Sequence, residues 1–245
     1  MPLMPSLTHS HALFLDFDGT LTDIASKPHA VRVPAGLAPN LAALHRLLGG
    51  AVAIVTGRTE SDIDGFLAPL RLPLASEHGA QYRFDDGRHA AIEVPELGQV
   101  LQAAESLAAQ HPALLVEVKR ASVALHFRQA QHLESLCREA LVQAMVGLQG
   151  LELLSGKCVV EVKPAGIHKG QAIAAFMREL PFAGRTPIFI GDDVTDEAGF
   201  ATTMALGGLA IKVGEGPTRA QYRCMTPAAL RGWLSASRTA LEHPQ

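Results

Sequence analysis

The chain has 245 residues, of which 48% are hydrophobic and 18% charged, and its formal net charge is −3. A chain of this size buries about 70–75% of its unfolded surface without staples, and its composition excludes a disordered, collagen-like or coiled-coil protein. No block of Lys or Arg occurs, so the electrostatic footprint for nucleic acid is missing, and no apolar run reaches the roughly 18–20 residues that span a bilayer. Cys137, Cys158 and Cys224 are scattered and odd in number, which suits a reducing compartment better than a disulfide framework. The start of the chain lacks the basic and long apolar segments of a secretory leader. The expectation is a soluble cytoplasmic protein acting on a small molecule, as a monomer, with neither nucleic acid nor membrane as partner.

Short apolar runs followed by helical patterns predict parallel strands joined by helical crossovers. Ala12–Leu15, Ala51–Val55 and Pro187–Ile190 read as strands buried on both faces, and Leu209–Val213 as a fourth nearer an edge. Leu37, Leu41, Leu44 and Leu48 form one helical stripe; Ile173, Phe176, Met177 and Leu180 form another. The middle of the chain differs. Tyr82-Arg83-Phe84 enters a turn at Asp85-Asp86-Gly87, and a helix is predicted from Leu97 to Gln110. Beyond it, Val116 and Val118, then Val123, Leu125 and Phe127, then Cys158, Val160 and Val162 alternate with polar neighbours, with a helix through Leu133, Cys137, Leu141 and Met145 between them. Such alternation marks an antiparallel sheet with one dry face. The predicted fold is therefore an α/β, Rossmann-like parallel-sheet core formed by residues 1–82 and 165–245, with an α+β insert over 83–164.

Polar residues follow each core strand. They are Asp16-Phe17-Asp18-Gly19-Thr20, Thr56-Gly57-Arg58, and Gly191-Asp192-Asp193-Val194-Thr195-Asp196-Glu197. Ligands of open parallel sheets bind outside the carboxyl ends of the strands, so these carboxylates share one mouth. Crowded carboxylates repel unless a cation neutralises them, and oxygen ligands without a His or Cys cluster point to Mg²⁺. Two residues apart on a strand, Asp16 and Asp18 are expected to face the same ligand, one as nucleophile and the other as proton carrier. Any one Asp in such a place is often only a turn former or helix N-cap.

The ordered set resembles the four motifs of the haloacid dehalogenase (HAD) superfamily of phosphohydrolases: Asp16 to Thr22, then Thr56, then Lys169, then Asp192, Asp193 and Asp196. The resemblance implies that Asp16 attacks phosphorus to form an aspartyl-phosphate and that Asp18 acts first as acid, then as base. It also implies that Mg²⁺ is held by Asp16, the Asp18 carbonyl and Asp192. Thr56 and Lys169 would hold the phosphoryl group, with Asp193 and Asp196 orienting water and Lys169. Thr20, Gly57, Arg58 and His78 are supporting candidates; Arg58 reads equally as a salt-bridge partner, and His78 as a core histidine.

The insert lies between the second and third motifs, where one class of the superfamily carries a C2-type cap. Within it, Glu117-Val118-Lys119-Arg120-Ala121-Ser122 through His126-Phe127-Arg128, and Gly156 to Pro164, resemble the cap stretches of the trehalose-6-phosphate phosphatase family. That resemblance implies trehalose 6-phosphate as substrate, with Glu117, Lys119, His126, Arg128, Lys157 and Glu161 binding it. Carboxylates accept from sugar hydroxyls, and Lys and Arg donate to them. The alternatives are a phosphatase for sucrose phosphate or mannosyl phosphoglycerate, a sugar-phosphate mutase, or a silent binding module. A P-loop kinase is excluded, because no G-x-x-x-x-G-K-[ST] sequence occurs.

Overall fold

A computed structural model describes residues 4–25 and 30–243. In chain order its elements begin with β1 (His11–Leu15), α1 (Leu37–Leu47), β2 (Val52–Val55), α2 (Glu60–Leu67), β3 (Leu74–Ser76), β4 (Gln81–Arg83) and β5 (His89–Ala91). Then come α3 (Gly98–Gln110), β6 (Leu115–Val118), β7 (Val123–His126), α4 (Glu134–Ala144), β8 (Leu151–Gly156) and β9 (Val159–Pro164). The chain closes with α5 (Lys169–Phe176), β10 (Thr186–Gly191), α6 (Glu197–Ala205), β11 (Leu209–Val213), β12 (Tyr222–Cys224) and α7 (Pro227–Glu242).

These elements form two compact units, Met1–Ala90 with His168–Gln245, and Ala91–Ile167. The boundaries drawn from the sequence fall earlier, at 83 and 164. They differ because β4 and β5 extend the large sheet, whose order is β12-β11-β10-β1-β2-β3-β4-β5. β3 and β4 pair antiparallel, and the pairings from β12 across to β3 are parallel. β1 and β2 are continuous apolar runs because both faces are covered; four of five residues in β1 and all four in β2 are buried. Each such side chain taken from water contributes about 1.5–3 kcal/mol. Phe14 of β1 stacks on Phe182 with centroids 5.3 Å apart and meets Phe176 of α5 at 6.0 Å.

One expectation needs correction here. α5 ends at Phe176 with Met177 as its cap, so Leu180 falls beyond the predicted stripe and is 82% exposed. β11 lies nearer an edge, as expected, with β12 pairing outside it.

The second unit is a four-stranded antiparallel sheet, β6-β7-β9-β8, with α3 and α4. Its separate core holds Val123, Leu125, Phe127, Val160 and Val162 from the sheet and Val100, Ala104, Cys137 and Leu141 from the helices. Val118 shares the dry-face phase yet is 57% exposed, since it ends the edge strand β6. On the opposite face Ala124 lies between Glu117 and Glu161 in register. β8 lacks clean alternation, so its sequence carries little strand signal. No helix among the described residues is long and apolar enough to cross a membrane.

Candidate active site

β1 stops at Leu15, and the Asp16 amide continues its ladder by donating to Ile190 O at 2.9 Å. Asp16 is therefore fixed where the centre of the sheet ends, 4% exposed. Its Oδ1 accepts from Lys169 Nζ at 2.6 Å and its Oδ2 from Thr20 Oγ1 at 3.0 Å. Lys169 opens α5 behind an N-cap at His168 and is 3% exposed, so it is no surface lysine. Its ammonium also donates to Asp196 Oδ1 at 2.7 Å.

Asp196 ends the 3₁₀ turn that follows β10. It is fully buried, and its Oδ2 accepts the amides of Asp192 and Asp193, both at 2.9 Å. Gly191 makes room for it: a Cβ there would lie 2.3 Å from the Asp196 carboxyl carbon. Asp193 reciprocates as the N-cap of this turn, accepting from Val194 N at 2.8 Å. Asp192 turns its carboxylate towards the loop after β1. A Cβ on Gly19, whose φ is +76°, would lie 2.3 Å from Asp192 Oδ2. One carboxylate oxygen each from Asp16, Asp192 and Asp196 lies within 4.8 Å of the others.

Burial pushes the Asp16 carboxyl well above its usual range, opposed by the Lys169 charge and reinforced by Asp196 and Asp192. The Lys169 ammonium is held protonated, because its two carboxylate partners outweigh its own burial. Lys169 faces two of the three clustered carboxylates, Asp16 and Asp196, and a divalent ion would relieve the repulsion among the three in this dry place. The donors are oxygens only, which fits Mg²⁺. Asp196 already accepts one ammonium and two amide donors, so Asp16 and Asp192 are the carboxylates best suited to a metal.

Asp18 lies beyond the end of β1. The period-two argument stops with the strand at Leu15. Beyond it, a loop bridged between Asp18 and Thr22 carries Asp18 to Arg58, which donates to both carboxylate oxygens at 2.6 and 2.8 Å. The Asp18 side chain is 35% exposed, and Arg58 also lies 5.0 Å over the Phe66 ring. Thr56 is buried beyond β2, with its hydroxyl accepting from Arg58 N at 3.2 Å. His78 is 8% exposed in a left-handed conformation with φ +61°, and its amide donates to Thr56 O at 2.8 Å. A Cβ on Gly57 would lie 2.6 Å from the His78 ring, so Gly57 admits that imidazole.

In the second unit, Glu161 accepts from Lys119 Nζ at 2.9 Å and from the Ser122 hydroxyl. His126 Nε2 and Glu117 Oε2 lie 2.7 Å apart, and this contact holds the Glu117 carboxyl low against the opposing effect of burial. Arg128 donates to Lys157 O at 3.1 Å beside the β8–β9 turn, where Cys158 has φ +61°. Sequence reasoning missed Ser122 as a partner of Glu161, and it missed Lys212. Lys212 reads as one polar residue in an apolar strand, yet it is 5% exposed with Nζ donating to Asp192 O.

A sequence profile described as trehalose-phosphatase matches residues 14–227. The chain is 41% identical over 241 residues to the trehalose-6-phosphate phosphatase of Escherichia coli, covering 97% of this chain and 90% of that protein. It is 43% identical over 232 residues to a probable trehalose-phosphate phosphatase of Sinorhizobium fredii, covering 92% and 86%. Among solved structures, a trehalose-6-phosphate phosphatase related protein superposes with a TM-score of 0.80 at 27% identity, covering 95% of this chain and 99% of that one. The C-terminal domain of the Candida albicans trehalose-6-phosphate phosphatase superposes at 0.83 with 18% identity, covering 94% and 92%, a likeness of fold. A HAD-superfamily phosphatase of Bacteroides thetaiotaomicron shares the fold at 0.61. With a profile match over residues 14–227 and a relative 41% identical across 97% of its length, the chain belongs to the trehalose-phosphatase family of phosphoric monoester hydrolases.

Proposed function

We propose that the chain hydrolyses trehalose 6-phosphate to trehalose and phosphate, the last step of trehalose formation, through an aspartyl-phosphate on Asp16. The observation that carries the chemistry is the buried Asp16–Lys169–Asp196 arrangement beside Asp192. The substrate rests on the named relatives and on the mixed acidic and basic face of the insert.

Asp16 attacks phosphorus in line; its Oδ–P bond forms as the bond from phosphorus to the sugar oxygen breaks. Asp18 gives that oxygen its proton, then takes one from the water that cleaves the aspartyl-phosphate and restores Asp16. The Asp16 and Asp192 carboxylates, with the Asp18 carbonyl, would hold Mg²⁺, which when bound supplies positive charge to the phosphoryl oxygens. The Lys169 ammonium and Thr56 hydroxyl stabilise the same oxygens, and Asp196 keeps Lys169 aimed. Asp193 fixes the turn that bears Asp192 and Asp196. On the insert, Glu117, Lys119, His126, Arg128, Lys157 and Glu161 read the sugar hydroxyls, and their pairing in the free protein keeps them ordered beforehand. All three cysteines are free, in keeping with a reducing cytoplasm, and the proposed working state is a monomer.

Phosphate release from a panel of sugar phosphates, with and without Mg²⁺, tests this reading. Trehalose 6-phosphate should lead the panel, and Asp16→Asn should be silent. Comparable turnover of sucrose phosphate would retire the substrate. Failure to trap a hydroxylamine-labile phosphoenzyme would retire the intermediate.

A further inference from the structure

Lys212 sits on β11 in parallel register with Gly191, the residue immediately before Asp192 on β10. From there its side chain runs to the strand tip, and its ammonium donates to the Asp192 carbonyl. It is 5% exposed, and no carboxylate among the described residues forms an ion pair with it. Burying an ammonium against a single neutral acceptor is unfavourable for folding. A Met or Leu would complete the apolar strand, in which Ala210, Ile211 and Val213 are buried and Leu209 is half-buried. The lysine therefore serves something other than packing.

Asp192 is restrained at each of its polar groups. Its amide donates to Asp196 Oδ2 at 2.9 Å, its carboxylate lies against Gly19 and 3.5 Å from Thr20 Oγ1, and its carbonyl accepts from Lys212. The first two restraints act through elements the proposed mechanism already uses. The third comes from a neighbouring strand that otherwise contributes nothing to the site.

We propose that Lys212 is a positioning residue for divalent-metal binding: by pinning the Asp192 carbonyl it fixes the peptide from which the Asp192 carboxylate projects. This rests on the reading that Asp16 and Asp192 hold the metal. Partners one layer out from a metal's ligands typically govern about 10–100-fold in affinity. The sign of the effect separates this role from simple electrostatics. Lys212 places a positive charge beside a cation site, so removing it would tighten metal binding if charge alone mattered. If positioning matters, removal weakens binding.

Mn²⁺ binding to the metal-free full chain, measured by titration calorimetry, provides the test, with thermal melting of the same samples. Lys212→Met removes donor and charge; Lys212→Gln removes the charge and leaves a donor about one bond short of the carbonyl. Both should weaken Mn²⁺ binding by about 10–100-fold, with metal-free melting temperatures at or above wild type. Equal or tighter binding in the variants overturns the inference, as does a fall in metal-free melting temperature at unchanged affinity. If Lys212→Met fails to fold, Lys212→Gln decides by the same readings. Wild-type protein that binds no Mn²⁺ sinks the metal reading and this inference together, whereas wild-type binding with unaltered variants sinks this inference alone.

Discussion

Arg58 holds Asp18 by both carboxylate oxygens, Nε to Oδ2 at 2.6 Å and Nη2 to Oδ1 at 2.8 Å. A fork-to-fork pair of this kind orients a carboxylate as well as neutralising it. Asp18 must surrender one of those contacts to pass a proton to a leaving oxygen. Asp18→Asn should therefore lower hydrolysis of a sugar phosphate by about 10²–10⁴-fold, the usual worth of general acid–base catalysis. Arg58→Ala, which leaves the carboxylate in place, should cost less than Asp18→Asn in the same phosphate-release assay. Equal losses would show that the pair acts as one unit.

Asp16 is a burden on the metal-free fold. Burial pushes its carboxyl up despite the Lys169 charge, so the native state binds a proton more readily than the unfolded chain. Stability from this group therefore falls as pH rises from the ordinary aspartate value through the higher native one. Asp16→Asn should abolish turnover yet raise the metal-free melting temperature near neutral pH. The gain should shrink as pH falls and the wild-type carboxyl takes up its proton. Melting curves of the two proteins across that range check the sign.

Gly19 is required twice over, by its positive φ and by the Asp192 carboxylate against its α-carbon. Gly19→Ala would displace Asp192 or the loop bearing Asp18. The expected result is at least a tenfold loss of phosphatase activity, as about 1.4 kcal/mol of misplacement suffices for that factor. A weaker affinity for Mn²⁺ should accompany it, which calorimetry reads directly.

Lys119 and Glu161 are each 7% exposed at the side chain and 2.9 Å apart. Lys119→Ala takes one charged donor from Glu161, which keeps the Ser122 hydroxyl, and removes a donor for sugar hydroxyls. It should lower kcat/KM for trehalose 6-phosphate by about 10-fold or more, since one hydrogen bond to a charged group contributes about 1.5–3 kcal/mol. Hydrolysis of p-nitrophenyl phosphate, which has no sugar, should change little. Parallel losses on both esters would assign the pair to folding.

Much of this was legible in the chain. Leu13, Phe14 and Leu15, or Val52 through Val55, are apolar at consecutive positions because both faces of a central parallel strand are covered, and the polar residues after them mark where the strand emerges. Alternation at Val123, Leu125 and Phe127 likewise revealed a sheet with one dry face. Less was legible where the reason lies in another element. β8 and β12 are short or half-buried and carry little period of their own. Lys212 has no local signal, because its partner is a carbonyl on the neighbouring strand. The choice of Arg58 for Asp18 depends on where two loops meet, and the left-handed backbone at Glu77 and His78 occurs at residues whose type gives no warning of it.

β1 is flanked on both sides by parallel strands, β10 and β2, and its last four residues are out of contact with water. Amides so placed open only with the whole unit, so those of Leu13 through Asp16 should be among the slowest to exchange with deuterium. Asp16 is thus mounted on the part of the molecule that breathes least, and whatever adaptability a catalytic cycle demands has to come from the loops around it.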